Sequence, residues 1–196
     1  MSAATEILEY RIPARLAELN TFISLAAALE AREPENIEIR IGRDGFLVSN
    51  ARLVLDVMAD GAVVIARALL EFLGLKYRKA TATTAASLQQ NNGQKADDLD
   101  MTDVGLTSVS PTAATNGWTE SPQRAEQLLM LCFETGNKVS AHFTTENAST
   151  RRASISELRD AFQLVTRLVN REVYTRLQMP NVAFHQGGDH GYILPR

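Results

Sequence analysis

The stretch VLDVMADGAVVIARALLEFLGL, residues 54–75, decides the fold. Its apolar residues cover nearly every side of one helix, with Ser49 or Asn50 suited to be the N-cap and Gly74 suited to end it. Four charged residues interrupt the stretch, and in a membrane span they would cost several kcal/mol. We therefore expect a buried helix of a soluble protein that has no membrane-spanning segment.

The four charged residues of this helix form a polar stripe, because at helical spacing they fall within about 60° of one another. They are Asp56, Asp60, Arg67 and Glu71. The polar stripe is either a solvated face with an Arg67–Glu71 ion pair, or a seam that lines a groove or a subunit interface. Since one bundle core uses only about a third to a half of a helix circumference, the remaining apolar surface predicts a homodimer joined through helix faces.

Three other segments repeat apolar residues at helical spacing. They are residues 14–31 behind Pro13, residues 121–143 with a Ser-Pro start, and residues 154–179 with a Ser-x-x-Glu capping box. Together with the second helix they predict an all-α fold, a four-helix bundle, in one domain that spans residues 1–196.

The helical period breaks between the first two helices. Ile37, Ile39 and Ile41 alternate with charged residues, and the Arg-Asp-Gly sequence at 43–45 is typical of a turn. The pattern predicts a small β-hairpin excursion near residues 36–48. The hairpin has to lean on the helices, because two strands alone are marginally stable.

A long, partly mobile loop is predicted at residues 80–120, between the second and third helices. The segment is rich in Thr, Ala, Asn, Gln and Asp, so it can bury little area against the entropy cost of ordering it. Structureless loops of this length are uncommon, which leaves room for a short helix within it. Its scattered apolar residues are the expected anchors: Leu99, Met101, Val104, Leu106 and Trp118.

The last segment, residues 180–196, is predicted to be an irregular tail. It contains His185, Asp189 and His190, but their spacing matches no standard metal signature, so we expect a disordered or subunit-docking tail and no metal site.

Composition and charge exclude several classes of protein. A net charge of -3 argues against binding nucleic acid through bulk charge, and the single cysteine, Cys132, excludes a disulfide framework. Cys132 lies on an apolar stripe, so we expect a packed, inert thiol. No P-loop, dinucleotide fingerprint or serine-elbow motif occurs, so no cofactor is expected. Glu6 and Glu9 stand where a secretory signal would be apolar, which favours a cytoplasmic location.

The run FETGNKVSAHFTTE, residues 133–146, contains the candidate site. A glycine inside a helix costs about 1 kcal/mol relative to alanine, so Gly136 indicates that another segment approaches closely. Lys138 lies four residues before His142, where its charge would favour a neutral imidazole suited to act as a base. The alternative is a surface histidine with solvated neighbours. We take His142, Lys138 and Asn137 as candidate catalytic residues.

Arginines on the fourth helix are candidates for contact with an anion. Residues 151–178 hold six arginines against three acidic residues, and Arg159 and Arg167 lie roughly on one side together with Arg152. The alternative is a solvated face with dispersed charge. The aromatic interleaving expected of a single-strand binding surface is absent.

Two stretches resemble the HEPN superfamily of helical bundles. The sequence GNKVSAH, residues 136–142, is similar to the surroundings of the family histidine. The sequence ARALLEFLGL, residues 66–75, with Arg67 and Glu71, resembles the Arg-x-x-x-Glu helix of uncharacterised relatives found near bacterial defence and restriction systems. The resemblance implies a helical bundle that commonly dimerises. Active members are metal-independent ribonucleases in which an arginine and a histidine meet across the dimer interface.

This chain departs from that family at the catalytic arginine. His142 matches the family histidine, but the positions at which the family places the arginine hold Thr135, Gly136 and Asn137. The resemblance therefore favours a HEPN-like module, non-catalytic or weakly catalytic, that binds RNA, a nucleotide or a protein partner in a bacterial defence or stress setting. The alternatives are a metal-independent ribonuclease with His142 as acid/base, and a structural or oligomerisation protein without a small-molecule site.

Overall fold

A computed structural model describes residues 2–30, 37–41, 43–48, 50–91, 98–138 and 153–182. The helices are α1 (Ala3–Glu6), α2 (Ile12–Glu30), α3 (Ala51–Phe72), α4 (Pro111–Thr115), α5 (Pro122–Lys138) and α6 (Ile155–Val169). The strands are β1 (Ile37–Ile41), β2 (Asp44–Val48), β3 (Leu75–Arg78) and β4 (Ser87–Gln90). Two π-helical segments, Ile7–Arg11 and Asn170–Thr175, continue α1 and α6, and one turn of 3-10 helix spans Met101–Val104.

The four long helices, α2, α3, α5 and α6, share one core. α6 contacts the other three, and α3 also contacts α2 and α5. The rings of Phe22 and Phe162 meet edge to face at a centroid distance of 5.1 Å in this core, and both residues are fully buried. The predicted all-α fold, a four-helix bundle with a small β excursion, is confirmed.

Side chains cap the long helices where the sequence predicted them. The Asn50 side chain accepts a hydrogen bond from the Arg52 amide at 2.9 Å, so Asn50 rather than Ser49 is the N-cap of α3. At the other end of α3, Gly74 has a φ of 85°, a left-handed conformation that favours glycine. The Ser154–Glu157 capping box before α6 is present. The described part of α5 ends at Lys138, so the predicted continuation to residue 143 lies outside the described residues.

The first helix begins earlier than the sequence predicted. Helical structure starts at Ala3 and includes Pro13, whereas we expected a start near residue 14. A proline inside an α-helix normally clashes with the carbonyl four residues before it. Here the preceding turn is widened into a π-helix, in which the Ile12 amide donates to the Ile7 carbonyl, and the widened turn accommodates the ring.

The π-helical turn leaves the Leu8 carbonyl without a donor from its own helix. Its α-helical donor, the amide of Ile12, is bonded to Ile7, and its π-helical donor would be the amide of Pro13, which has no hydrogen. The hydroxyl of Tyr174 donates to this carbonyl at 2.7 Å. A side chain of the second π-helical segment thus supplies the hydrogen-bond donor that the Leu8 carbonyl lacks within the first.

The first hairpin is confirmed, with a different turn. Ile37 pairs with Val48 and Ile41 with Asp44 in an antiparallel register. The chain therefore reverses between Ile41 and Asp44, whereas the sequence placed the turn at residues 43–45. Asp44 pairs with Ile41 in this register, so it is the first residue of β2 and not part of the turn.

The segment at residues 80–120 joins α3 to α5 as predicted, but it contains more structure than a loop. The short helix α4 and the 3-10 turn lie within it, and β4 pairs with β3 in a second hairpin that the sequence did not predict. Among the expected anchors, Met101 and Val104 are buried, Leu106 and Trp118 are partly buried, and Leu99 is exposed. Mobility of the segment stays a prediction.

The long helix α5 holds the second hairpin through two carboxylates. Glu126 accepts a hydrogen bond from the Leu88 amide at 3.2 Å. The Tyr77 hydroxyl donates to Glu134 Oε1 at 2.6 Å, and the Tyr77 ring stacks on Phe133. These contacts come from α5, which is distant in sequence, so the strand propensity of SLQQ alone could not reveal β4.

Candidate functional site

The end of α5 leads into the predicted catalytic segment. Asn137 and Lys138 are the last two residues of α5. His142 lies outside the described residues, as do His185, Asp189 and His190 of the tail. The geometry of the candidate site therefore rests on Gly136 and on what packs against it.

Gly136 is buried at the contact between α5 and α3. A Cβ atom at this position would lie 3.3 Å from Val63 Cγ1 and 3.5 Å from Arg67 Cδ. The first distance is tighter than ordinary van der Waals contact, so the absence of a side chain lets the two helices approach. The close approach that the glycine indicated in the sequence is present, and Arg67 is one of the residues that makes it.

Arg67 and Glu71 form an ion pair on α3. Arg67 Nε donates to Glu71 Oε1 at 2.8 Å, and the two side chains are 37% and 42% exposed. At this exposure the pair is partly screened by water, and pairs of this kind contribute a few tenths of a kcal/mol. Asp56 and Asp60, the other members of the polar stripe, are exposed. The polar stripe thus begins in solvent and ends beside the C-terminal part of α5.

An apolar stripe is exposed beside the polar stripe of α3. It consists of Leu53, Val57, Gly61 and Val64, which recur at helical spacing. Leu53, Val57 and Val64 are 58%, 74% and 53% exposed, and among the described residues a Cβ atom added at Gly61 would meet nothing within 4 Å. The sequence predicted this second apolar face, since the helix is apolar on nearly all sides. The sequence alone could not show which side of α3 the bundle leaves uncovered.

The two candidate arginines of α6 have separate partners. Arg159 lies 3.7 Å from Asp160, in a partly exposed ion pair. The guanidinium carbon of Arg167 lies 5.2 Å from the centroid of the Trp118 ring, a cation–π arrangement. This contact could not be predicted from the sequence, because residues so far apart in the chain share no periodic spacing. It pins the segment before α5 onto α6.

The neighbouring arginines have the same structural role. Arg171 donates to the carbonyls of Ala113 and Asn116, both at 2.5 Å. Arg176 donates to the carbonyl and the hydroxyl of Thr107. Several of the arginines that were candidates for contact with an anion therefore hold the residues around α4 against the last helix.

Cys132 is not a nucleophile at neutral pH. Its side chain is fully buried in the core, and burial raises the pKa of its thiol to about 12. The expectation of a packed, inert cysteine agrees with this placement.

Among the residues that the structure describes, no group of histidine, cysteine, aspartate and glutamate side chains is placed to hold a metal ion. Within the same residues, no helix is both long enough and apolar enough to cross a membrane. No protein-family model matches the chain, and no curated protein or solved structure is significantly similar to it.

Proposed function

We propose that the chain is a HEPN-like helical module, non-catalytic or weakly catalytic, that works as a homodimer and binds RNA, a nucleotide or a protein partner in a bacterial defence or stress setting. The observation that carries the proposal is the exposed apolar stripe of α3. A helix inside a bundle needs only one covered face, and α3 presents a second apolar face to solvent.

The exposure of this stripe is large for single side chains. Leu53, Val57 and Val64 each leave more than half of their surface in water. At about 25 cal/mol per Å² of apolar surface, covering each of them contributes on the order of 1 kcal/mol. Exposed apolar surface of this kind, rimmed by polar residues, marks interaction sites. A binding module fits this surface better than a monomer without partners does.

The chain also lacks the arginine of the active HEPN members. The positions that hold the arginine in active HEPN members are occupied by Thr135, Gly136 and Asn137. Lysine at 138 offers a point charge and lacks the planar fork with which arginine grips a phosphate. The chain therefore has the exposed apolar stripe of a binding module but lacks the arginine with which active members cleave RNA.

The proposal is tested by two charged variants of equal exposure. Val57→Asp should shift the mass measured by light scattering from twice the chain mass to the chain mass, because a charge in a buried interface is costly. Leu47→Asp is the matched control, since Leu47 is 75% exposed and belongs to β2 rather than to the apolar stripe of α3. A wild-type protein that scatters as a monomer at micromolar concentration would remove the basis of the proposal.

A metal-independent ribonuclease is the second candidate, and the contact between Arg67 and Gly136 favours it. The contact brings an arginine side chain to the end of α5, a few residues before His142, where the family arginine is missing. In this mechanism His142 acts as acid/base, and Lys138 or Arg67 holds the phosphate. If it operates, wild-type protein cleaves single-stranded RNA in EDTA, and His142→Ala abolishes cleavage with little change in melting temperature. Absence of cleavage by wild-type protein that binds the same RNA would decide for the binding module.

A further inference from the structure

A glycine stands in the exposed face of α3 without a reason inside one chain. Gly61 lies in the middle of the helix, where glycine is less favourable than alanine. Its φ is not positive, since the positive-φ glycines of the described residues are Gly74, Gly105 and Gly117. A Cβ atom there would meet no atom of the described residues within 4 Å. Neither its backbone conformation nor its packing against the described residues requires glycine at this position.

A notch of this kind allows another helix to come close. Val64 lies three residues further along, on the same face, and is 53% exposed. In a pair of antiparallel α3 helices whose two-fold axis passes midway between these residues, Val64 of each chain fits over Gly61 of the other. A two-fold interface is reciprocal in this way, so one notch and one knob per chain are sufficient.

The charges of the polar stripe, which lies beside this face, distinguish the two possible directions of the pair. Asp56 and Asp60 lie in the N-terminal half of α3, and Arg67 lies in the C-terminal half. In a parallel pair, the two-fold axis runs along the helices and places the two polar stripes on opposite sides of the contact, so no aspartate would face an arginine across it. An antiparallel pair brings Asp60 near Arg67 of the partner subunit, with Arg67 keeping its bond to Glu71. Charge complementarity therefore favours the antiparallel direction.

We infer that the exposed face of α3 is covered by the α3 of a second copy of this chain, antiparallel to it, with Val64 of each chain packed over Gly61 of the other. The inference rests on the proposed function, because it names the partner of the same surface. It adds the orientation and the crossing point of the two helices.

Cysteine cross-linking tests the orientation, since the native Cys132 is buried and does not compete. In the antiparallel pair, Val57 faces Ala68 of the partner subunit, while the two copies of Val57 lie about 16 Å apart along the axis. A mixture of Val57→Cys and Ala68→Cys proteins should form a disulfide-linked dimer under mild oxidation. Either cysteine variant alone should form little disulfide-linked dimer. Cross-linking of Val57→Cys with itself would overturn the antiparallel direction.

The crossing point has its own test. Gly61→Leu should weaken the dimer at least ten-fold in Kd by sedimentation, because the added side chain fills the notch. Folding of the monomer should be unaffected, since the position is open. Unchanged dimerisation of Gly61→Leu would overturn the crossing point. A dimer by light scattering without any cross-link in the mixture would overturn this interface and leave the proposed function standing, whereas a wild-type monomer would overturn both.

Discussion

Replacing Tyr174 with phenylalanine removes one hydroxyl and leaves a partly buried carbonyl without a donor. Tyr174 is 2% exposed, and its ring stays packed in the variant, so the change isolates the hydrogen bond to the Leu8 carbonyl. The helix cannot supply a substitute donor, because Ile12 is bonded to Ile7 and Pro13 has no amide hydrogen. The perturbation is therefore an unsatisfied, partly buried acceptor rather than a cavity.

The expected magnitude follows from that difference. Leaving a buried acceptor unpaired costs about 1–3 kcal/mol. For a chain of 196 residues, each kcal/mol shifts the melting temperature by about 2–4 °C. We expect Tyr174→Phe to lower the free energy of unfolding in urea by about 1–3 kcal/mol and the melting temperature by about 2–12 °C.

A second substitution separates this explanation from a general loss of packing. Pro13→Ala supplies an amide hydrogen, so the turn can satisfy the Leu8 carbonyl within the helix. Tyr174→Phe should therefore cost less in a Pro13→Ala background than in the wild type, which a double-mutant cycle measures as a coupling energy. Equal costs in the two backgrounds, or a cost under about 0.5 kcal/mol in the wild type, would refute the reasoning.

Three further outcomes are expected. Gly136→Ala gains about 1 kcal/mol of helix propensity but brings a Cβ atom to 3.3 Å from Val63 Cγ1, so the free energy of unfolding in urea should change little. An increase in stability by the full amount of about 1 kcal/mol would show that the Val63 side chain moves aside. Burial and the hydrogen bond to Glu134 raise the pKa of Tyr77 from 10.0 to about 12. Because the unfolded chain then loses this proton first, stability should fall as the pH rises from about 10 to 12, and Tyr77→Phe should remove that part of the slope; identical pH profiles would contradict it. Limited proteolysis should cut first within residues 80–120 and leave two associated fragments, and uniform resistance would show a fully ordered segment.

The bundle was predictable because its signals are local. The capping box at Ser154 and the glycine stop at Gly74 mark helix ends within a few residues of sequence, and the apolar period between such ends identifies the buried faces. The π-helical turn before Pro13 was not predictable in the same way. It depends on the Tyr174 hydroxyl, which reaches it from 166 residues away in the chain.

The candidate site was predictable in part. Gly136 indicated a close helix contact, and the structure has that contact with Val63 and Arg67. The role of Arg167 was not predictable, since its partner Trp118 meets it only through the tertiary fold. The catalytic role of His142 stays a prediction, as that residue lies outside the described part of the chain.

The place of α6 in the bundle has a consequence for how the protein is made. α6 is the last of the four long helices to leave the ribosome, and it contacts all three of the others. Until it emerges, Phe22 on α2 has no Phe162 to pack against. Core closure must therefore wait for nearly the whole chain, and nascent chains that stop before residue 155 expose apolar helix faces to chaperones and proteases.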